Sequence, residues 1–123
     1  LLALEPGEAL RFAQYLSPEG VALVNTRPVL PATVTAGLAS YPAIPEILSS
    51  LGQHCNRVLD MDATALASRA GTAQAMNVVM LGALSRFIPL SEESILQSLA
   101  QVVPPRFLEV NKRAFALGKA EVE

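Results

Sequence analysis

The run Val21-Ala22-Leu23-Val24, followed at once by Asn25-Thr26-Arg27-Pro28, decides how this chain is read. Four consecutive apolar residues without polar alternation describe a strand covered on both faces, the form strands take in a parallel sheet. Ser17-Pro18-Glu19-Gly20 turns the chain just before it. Further upstream, Leu1–Leu4 reads as a short buried strand and Pro6 presets φ for a helix start. Ala9, Phe12, Ala13 and Leu16 then recur at helical spacing and predict one apolar face. The pattern is strand, helix, strand with short connections.

Downstream, Asn25 to Pro45 holds Pro28, Pro31, Pro42 and Pro45 together with Thr26, Thr33 and Thr35. Proline donates nothing to a central ladder, so this stretch is predicted to be a long excursion, of the kind that contacts ligands or partners. Ile44, Ile47, Leu48 and Leu51 mark a helix closed by Gly52, and Arg57–Met61 resumes a strand. Asp62 is placed to cap a helix from Ala63 to Ala70, with Gly71 at its end. A helix over Ala73–Phe87 is apolar all round and therefore predicted to be buried, with Gly82 admitting a close neighbour. Ser91 caps a helix over Glu92–Val103, Leu90 and Ile95 stand at staple spacing, and Pro104-Pro105 ends it. A last helix runs from Phe107 to Leu117, with Gly118 as its stop and a frayed tail from Lys119 to Glu123.

Alternating strands and helices followed by a helical run predict an α/β fold of three layers with a mainly parallel sheet and a helical C-terminal end. With 123 residues there is room for one domain, 1–123. Three strands are too few to close a well-covered sheet, and a chain opening inside an apolar strand is expected to lack its N-terminal part. Further strands would come from that part or from a partner.

Composition narrows the function classes. Apolar residues make up 51% and charged residues 16%, against about 25% charged in an ordinary domain. With a mean hydropathy of +0.38, some apolar surface is expected to enter an interface. The nine Lys and Arg residues are scattered and the net charge is −2, which argues against nucleic acid. The densest apolar run, Val78–Leu84, is far short of the roughly 18 residues of a membrane span. One cysteine, Cys55, and one histidine, His54, supply no disulfide and no metal site, and fit a reducing cytoplasm. No Ser-His-Asp set, nucleophile elbow or Gly-rich phosphate loop is found, and Asp60 and Asp62 read as cap residues, so no catalytic residue is assigned.

Two features rise above this background. Asn25, Thr26 and Arg27 follow the apolar strand directly, at the edge where open α/β sheets hold ligands, and Arg27 is suited to a carboxylate or phosphate. Asn77 is the lone polar residue early in a buried helix. The plainer readings are a polar loop satisfying its own backbone and a hydrogen-bonded structural amide.

Asn25-Thr26-Arg27-Pro28-Val29-Leu30-Pro31, Tyr41-Pro42 and Asn77-Val78-Val79-Met80-Leu81-Gly82-Ala83-Leu84, in this order and spacing, resemble the gamma-type domain of 2-oxoacid:ferredoxin oxidoreductases. The pattern is nearest to the beta-subunit type of the indolepyruvate enzymes, and the likeness runs from Leu1 to about Leu117. The resemblance implies a Rossmann-like fold whose N-terminal Gly-rich part is missing here. It implies a complex that oxidatively decarboxylates an aryl-2-oxoacid on thiamine diphosphate, passes electrons through iron–sulfur clusters to ferredoxin, and releases an acyl-CoA. None of these cofactors is expected on this chain. The implied partner is the thiamine- and cluster-binding subunit, with ferredoxin reached through it and a homo-oligomer as a further option. Asn25–Arg27 matches a family segment near the subunit interface. An independent Rossmann-like nucleotide- or CoA-binding module, and a purely structural interaction module, are the alternatives.

Overall fold

The computed structural model describes residues 1–123, which form two compact units, Leu1–Met61 and Asp62–Glu123. The first is built on three parallel strands in the order β1 (Leu2–Ala3), β2 (Val21–Asn25), β3 (Arg57–Met61). Leu2 pairs with Leu23 and Ala3 with Val24, while Val21 through Asn25 pair with Arg57 through Met61. As its unbroken apolar run predicts, β2 is covered on both faces: Ala22 and Val24 are 0% exposed on one side and Leu23 is 1% exposed on the other.

Helices α1 (Pro6–Phe12) and α3 (Ile44–Gly52) pack on the sheet and on each other. Their shared core is Ala3, Ala9, Ala13, Ala22, Val24, Ile47, Leu51 and Cys55. Ala9 on α1 and Ala13 just after it, both buried, let the helix lie close to the strands. Phe12 departs from the predicted inner face and is 44% exposed. The helix tightens into a 3₁₀ turn directly after Phe12, at Ala13–Tyr15, and Phe12 stacks on Tyr15 of that turn, ring centroids 6.3 Å apart. The proline-rich excursion is an extended loop, as its composition requires, interrupted by one short helix, α2 (Ala32–Thr35).

The second unit is helical throughout: α4 (Ala63–Ala70), α5 (Met76–Leu84), α6 (Glu92–Val102) and α7 (Leu108–Glu121). Asp62 caps α4 by accepting from the Ala65 N–H at 2.8 Å, and Ser91 caps α6 by accepting from the Ser94 N–H at 3.2 Å. Each such cap contributes about 1 kcal/mol. Gly71 closes α4 at φ +138°, a backbone state that other residues rarely adopt. The helix anticipated over Ala73–Phe87 is shorter: Ala73–Ala75 is a 3₁₀ turn and α5 ends at Leu84.

The larger departure is at Gly118, read from sequence as a stop. Here α7 runs straight through it to Glu121. Gly118 is instead a contact point: a Cβ there would lie 1.8 Å from the Val79 carbonyl oxygen. The reciprocal position is Gly82, where a Cβ would lie 2.0 Å from the Phe115 carbonyl oxygen. Helices α5 and α7 therefore touch backbone to backbone through two glycines. The tail expected to fray is held by ion pairs from Lys119 to Glu92 and from Arg86 to Glu123.

Alanine at either glycine forces the two helices apart. Gly82→Ala and Gly118→Ala are each expected to destabilise by about 3 kcal/mol or more, as overpacking against rigid backbone does. Gly52→Ala, with nothing within 4 Å of its added methyl, is expected to stabilise by about 0.5 kcal/mol. Urea denaturation midpoints of the three variants would check both signs.

Candidate functional site: the fastened loop at the strand edge

Strand β2 ends at Asn25, whose side chain is buried at 1% exposure. Its amide Nδ2 donates to the Leu4 carbonyl at 3.0 Å, and its Oδ1 accepts from the Arg27 N–H at 3.4 Å. Beyond Ala3 the backbones of β1 and β2 diverge, because the chain after β1 turns into α1. The Asn25 side chain carries the ladder one rung further across that gap. On the other side the Thr26 N–H donates to the Met61 carbonyl at 2.9 Å and extends the pairing with β3. Asn25 and Thr26 thus knit the ends of all three strands, and Arg27 follows on the exposed surface.

Asn77 lies in the second unit, as the second residue of α5. It is exposed, and its Oδ1 accepts from the Val78 N–H at 3.0 Å. It lines a cleft of about 240 Å³ with Thr72, Gln74, Phe107 and Asn111. Three of the four candidates are therefore neighbours at one strand edge, and Asn77 belongs to different surroundings.

Sequence reasoning missed the residue that fastens the loop. Glu5 is the N-cap of α1, with extended backbone at φ −149°, and its carboxylate accepts from the N–H groups of Gly7 and Glu8, each at 3.1 Å. The same carboxylate accepts from the Tyr41 hydroxyl and from the Val29 backbone. Tyr41 in turn accepts from the Gly7 N–H at 2.9 Å. One side chain holds the start of α1 and both flanks of the proline-rich excursion. Between these anchors Leu30 is 47% and Leu38 is 81% exposed, and Val29 is 72% exposed beside its own anchor. A carboxylate just before Pro6-Gly7-Glu8 is a readable helix cap; its bond to Tyr41 spans 36 residues and leaves no local trace.

The clamp shifts both groups. Partial burial pushes the Glu5 carboxyl up, but hydrogen bonds from Tyr41 and from the Gly7, Glu8 and Val29 backbones outweigh it and hold Glu5 below its ordinary 4.5. Burial, then the bond to Glu5 and its charge, push the Tyr41 phenol up to about 12 from 10.0, against an opposing pull from the Gly7 N–H.

Together these elements define a class: a small parallel α/β module with a long, fastened loop at the C-terminal edge of its sheet. Comparison with known proteins supplies the family. Over residues 1–121 the chain matches, and it belongs to, the pyruvate ferredoxin/flavodoxin oxidoreductase family. It is 41% identical over 121 residues to the indolepyruvate oxidoreductase subunit IorB of Thermococcus kodakarensis, covering 96% of this chain and 60% of that one. The same-named subunit of Archaeoglobus fulgidus is 34% identical over 120 residues, with 96% and 60% covered. The chain thus spans about three fifths of the length of these relatives. In fold it is similar to the gamma subunit of a keto/oxoacid ferredoxin oxidoreductase from Geobacter sulfurreducens, with a TM-score of 0.68 at 20% identity, covering 98% of this chain and 63% of that one. The expected α/β fold with a parallel sheet and the family read from Asn25–Pro31, Tyr41-Pro42 and Asn77–Leu84 both hold.

Asn25→Ala is expected to cost about 1–3 kcal/mol, because it leaves the Leu4 carbonyl without its donor; chemical denaturation measures it. The clamp predicts a second effect. Ionised Glu5 stabilises the fold above pH 4.5, and that contribution is lost as pH falls through its lowered folded-state value. The neutral Tyr41 phenol stabilises below pH 10.0, and that contribution is lost as pH rises toward about 12. Tyr41→Phe should flatten the alkaline limb of the stability–pH curve; identical alkaline limbs in wild type and variant would show the phenol is not held.

Proposed function

We propose that this chain is part of a subunit of an indolepyruvate-type 2-oxoacid:ferredoxin oxidoreductase, and that it serves assembly rather than chemistry. The enzyme as a whole would oxidatively decarboxylate an aryl-2-oxoacid and release an acyl-CoA. The family and the subunits it is similar to support this reading. The observation that carries it is the clamped loop, which presents Val29, Leu30 and Leu38 outward from a fixed base. Apolar side chains held out on an ordered loop mark a contact surface for a partner. Arg27, at the root of the same loop, is proposed to join that contact, with Asn25 and Thr26 positioning it. The residues 1–123 are proposed to act together as the C-terminal part of one domain.

The partner would be the subunit that holds thiamine diphosphate and the iron–sulfur clusters, with ferredoxin docking there. The residues of this chain do not fit a cluster, which needs several thiolate donors. Cys55 is the one cysteine; it is 3% exposed, with Sγ 3.5 Å from the Arg57 carbonyl. No three His, Cys, Asp or Glu side chains are grouped to hold a metal. Chemistry at the clusters and at thiamine diphosphate is proposed to belong to the partner. No helix is long and apolar enough to cross a membrane; a cytoplasmic setting is proposed together with the enzyme reading.

Co-expression of the full-length subunit with the large subunit of its enzyme tests the reading. The expected product is a brown complex active on indolepyruvate. Leu30→Asp with Leu38→Asp is expected to weaken association at least about tenfold, as burying two unpaired carboxylates would, while leaving the helical circular dichroism unchanged. A wild-type subunit that purifies alone and colourless would sink the proposal.

A further inference from the structure

The charges of the second unit are unevenly satisfied. Arg86 pairs with Glu123, Lys112 with Glu109 and Lys119 with Glu92, while Arg106 lies over the Phe107 ring at 4.7 Å. Arg69 and Arg113 have neither a carboxylate nor a ring, and both are exposed. These two line one cleft of about 370 Å³ whose remaining walls are Ala70, Ala116 and Leu117.

Arg113 is oriented there. Its Nε donates to the Ala70 carbonyl at 3.0 Å, which fixes the guanidinium across the end of α4. A Cβ at Gly71 would lie 3.6 Å from Nη2 of the same group. Capping of α4 accounts for that one bond, since cations are favoured at a helix C-terminus. It does not account for a second arginine in the same cleft, nor for the outer edge of the Arg113 fork. Two like charges on one concave surface repel. An anion between them removes that cost, and a guanidinium with one nitrogen already tethered meets a carboxylate with little further ordering.

We propose that the Arg69–Arg113 cleft docks an acidic segment of a partner protein chain, a carboxylate side chain flanked by an apolar residue that covers Leu117. Charge complementarity identifies the occupant, because no acidic side chain of this chain lines the cleft. A small anion is the poorer match. Small-molecule sites enclose most of their ligand, whereas both arginines here are exposed, as charged residues at the rim of a protein interface are. The proposal rests on the reading of this chain as part of a multi-subunit enzyme, and names the chemistry of a further contact in addition to the clamped loop.

The test uses the full-length subunit co-expressed with the large subunit. A photo-crosslinking p-benzoylphenylalanine replaces Ala120, one helical turn along α7 from Ala116. The expected crosslink maps to a segment of the large subunit that contains Asp or Glu. Arg69→Glu, at a side chain with no bond inside the unit, is expected to weaken assembly about tenfold, and Arg69→Glu with Arg113→Glu further, with a shallower salt dependence than wild type. Changing the mapped acid to Lys should restore binding to the Arg69→Glu subunit. Wild-type affinity in the double variant overturns the proposal, as does a crosslink to a second copy of this subunit alone. So does a melting temperature raised by millimolar phosphate in wild type but not in the double variant, with assembly undiminished, which would make the cleft a small-anion site. If the wild-type subunit does not bind the large subunit at all, the functional reading fails first and takes this one with it; the wild-type lane tells the two failures apart.

Discussion

Two helices cannot share the same space, and in the second unit that limit is met at two glycines. Gly82 and Gly118 each face a carbonyl oxygen of the opposing helix, at distances that no Cβ tolerates. This contact sets the separation of α5 and α7, and the other features of the unit follow from it. With the backbones this close, Val79 and Met80 on α5 and Ala114 and Phe115 on α7 are sealed from solvent. α7 is drawn along α5 far enough for Lys119 and Glu123 to meet Glu92 and Arg86. These ion pairs are exposed and individually worth little. Their role is to stop the last turn from opening once the glycine contact has put it there.

Much of this architecture is legible in the residues. Val21–Val24 can hardly be anything but a strand covered on both sides, and Asp62, Gly71 and Ser91 announce their helix ends by chemistry that acts within a few residues. Gly82 is readable as a close approach because it interrupts an otherwise apolar helix. Its partner Gly118 is not. Local signals cannot tell a helix-ending glycine from one selected for contact with a helix some forty residues away. Phe12 misleads for a related reason: its ring stacks on Tyr15 at the surface instead of entering the core, and nothing in the spacing of Ala9, Phe12 and Ala13 reports it.

The candidate site divides in the same way. Asn25, Thr26 and Arg27 are recognisable from their place after an apolar strand, and in the fold Asn25 acts as a positioning residue that spans the gap where β1 and β2 part. Glu5 and Tyr41 carry the local organisation, and their pairing depends on a loop closure that no periodicity encodes. Asn77 stands out because it is polar within an apolar run, yet it sits at the exposed start of α5. Contrast with neighbours is therefore a weaker guide than position at a sheet edge.

The Glu5 clamp has a consequence for how the loop can be held by another molecule. The carboxylate that fastens Val29 and Tyr41 is also the cap of α1, so peeling the loop away takes the Tyr41 hydroxyl from both the Gly7 N–H and the capping carboxylate. Loop and helix start are thereby coupled through one side chain. A surface prepared in this way surrenders little conformational entropy when it is covered. Recognition through Leu30 and Leu38 would be that of a nearly rigid body, fast to form and insensitive to the length of chain between its two anchors.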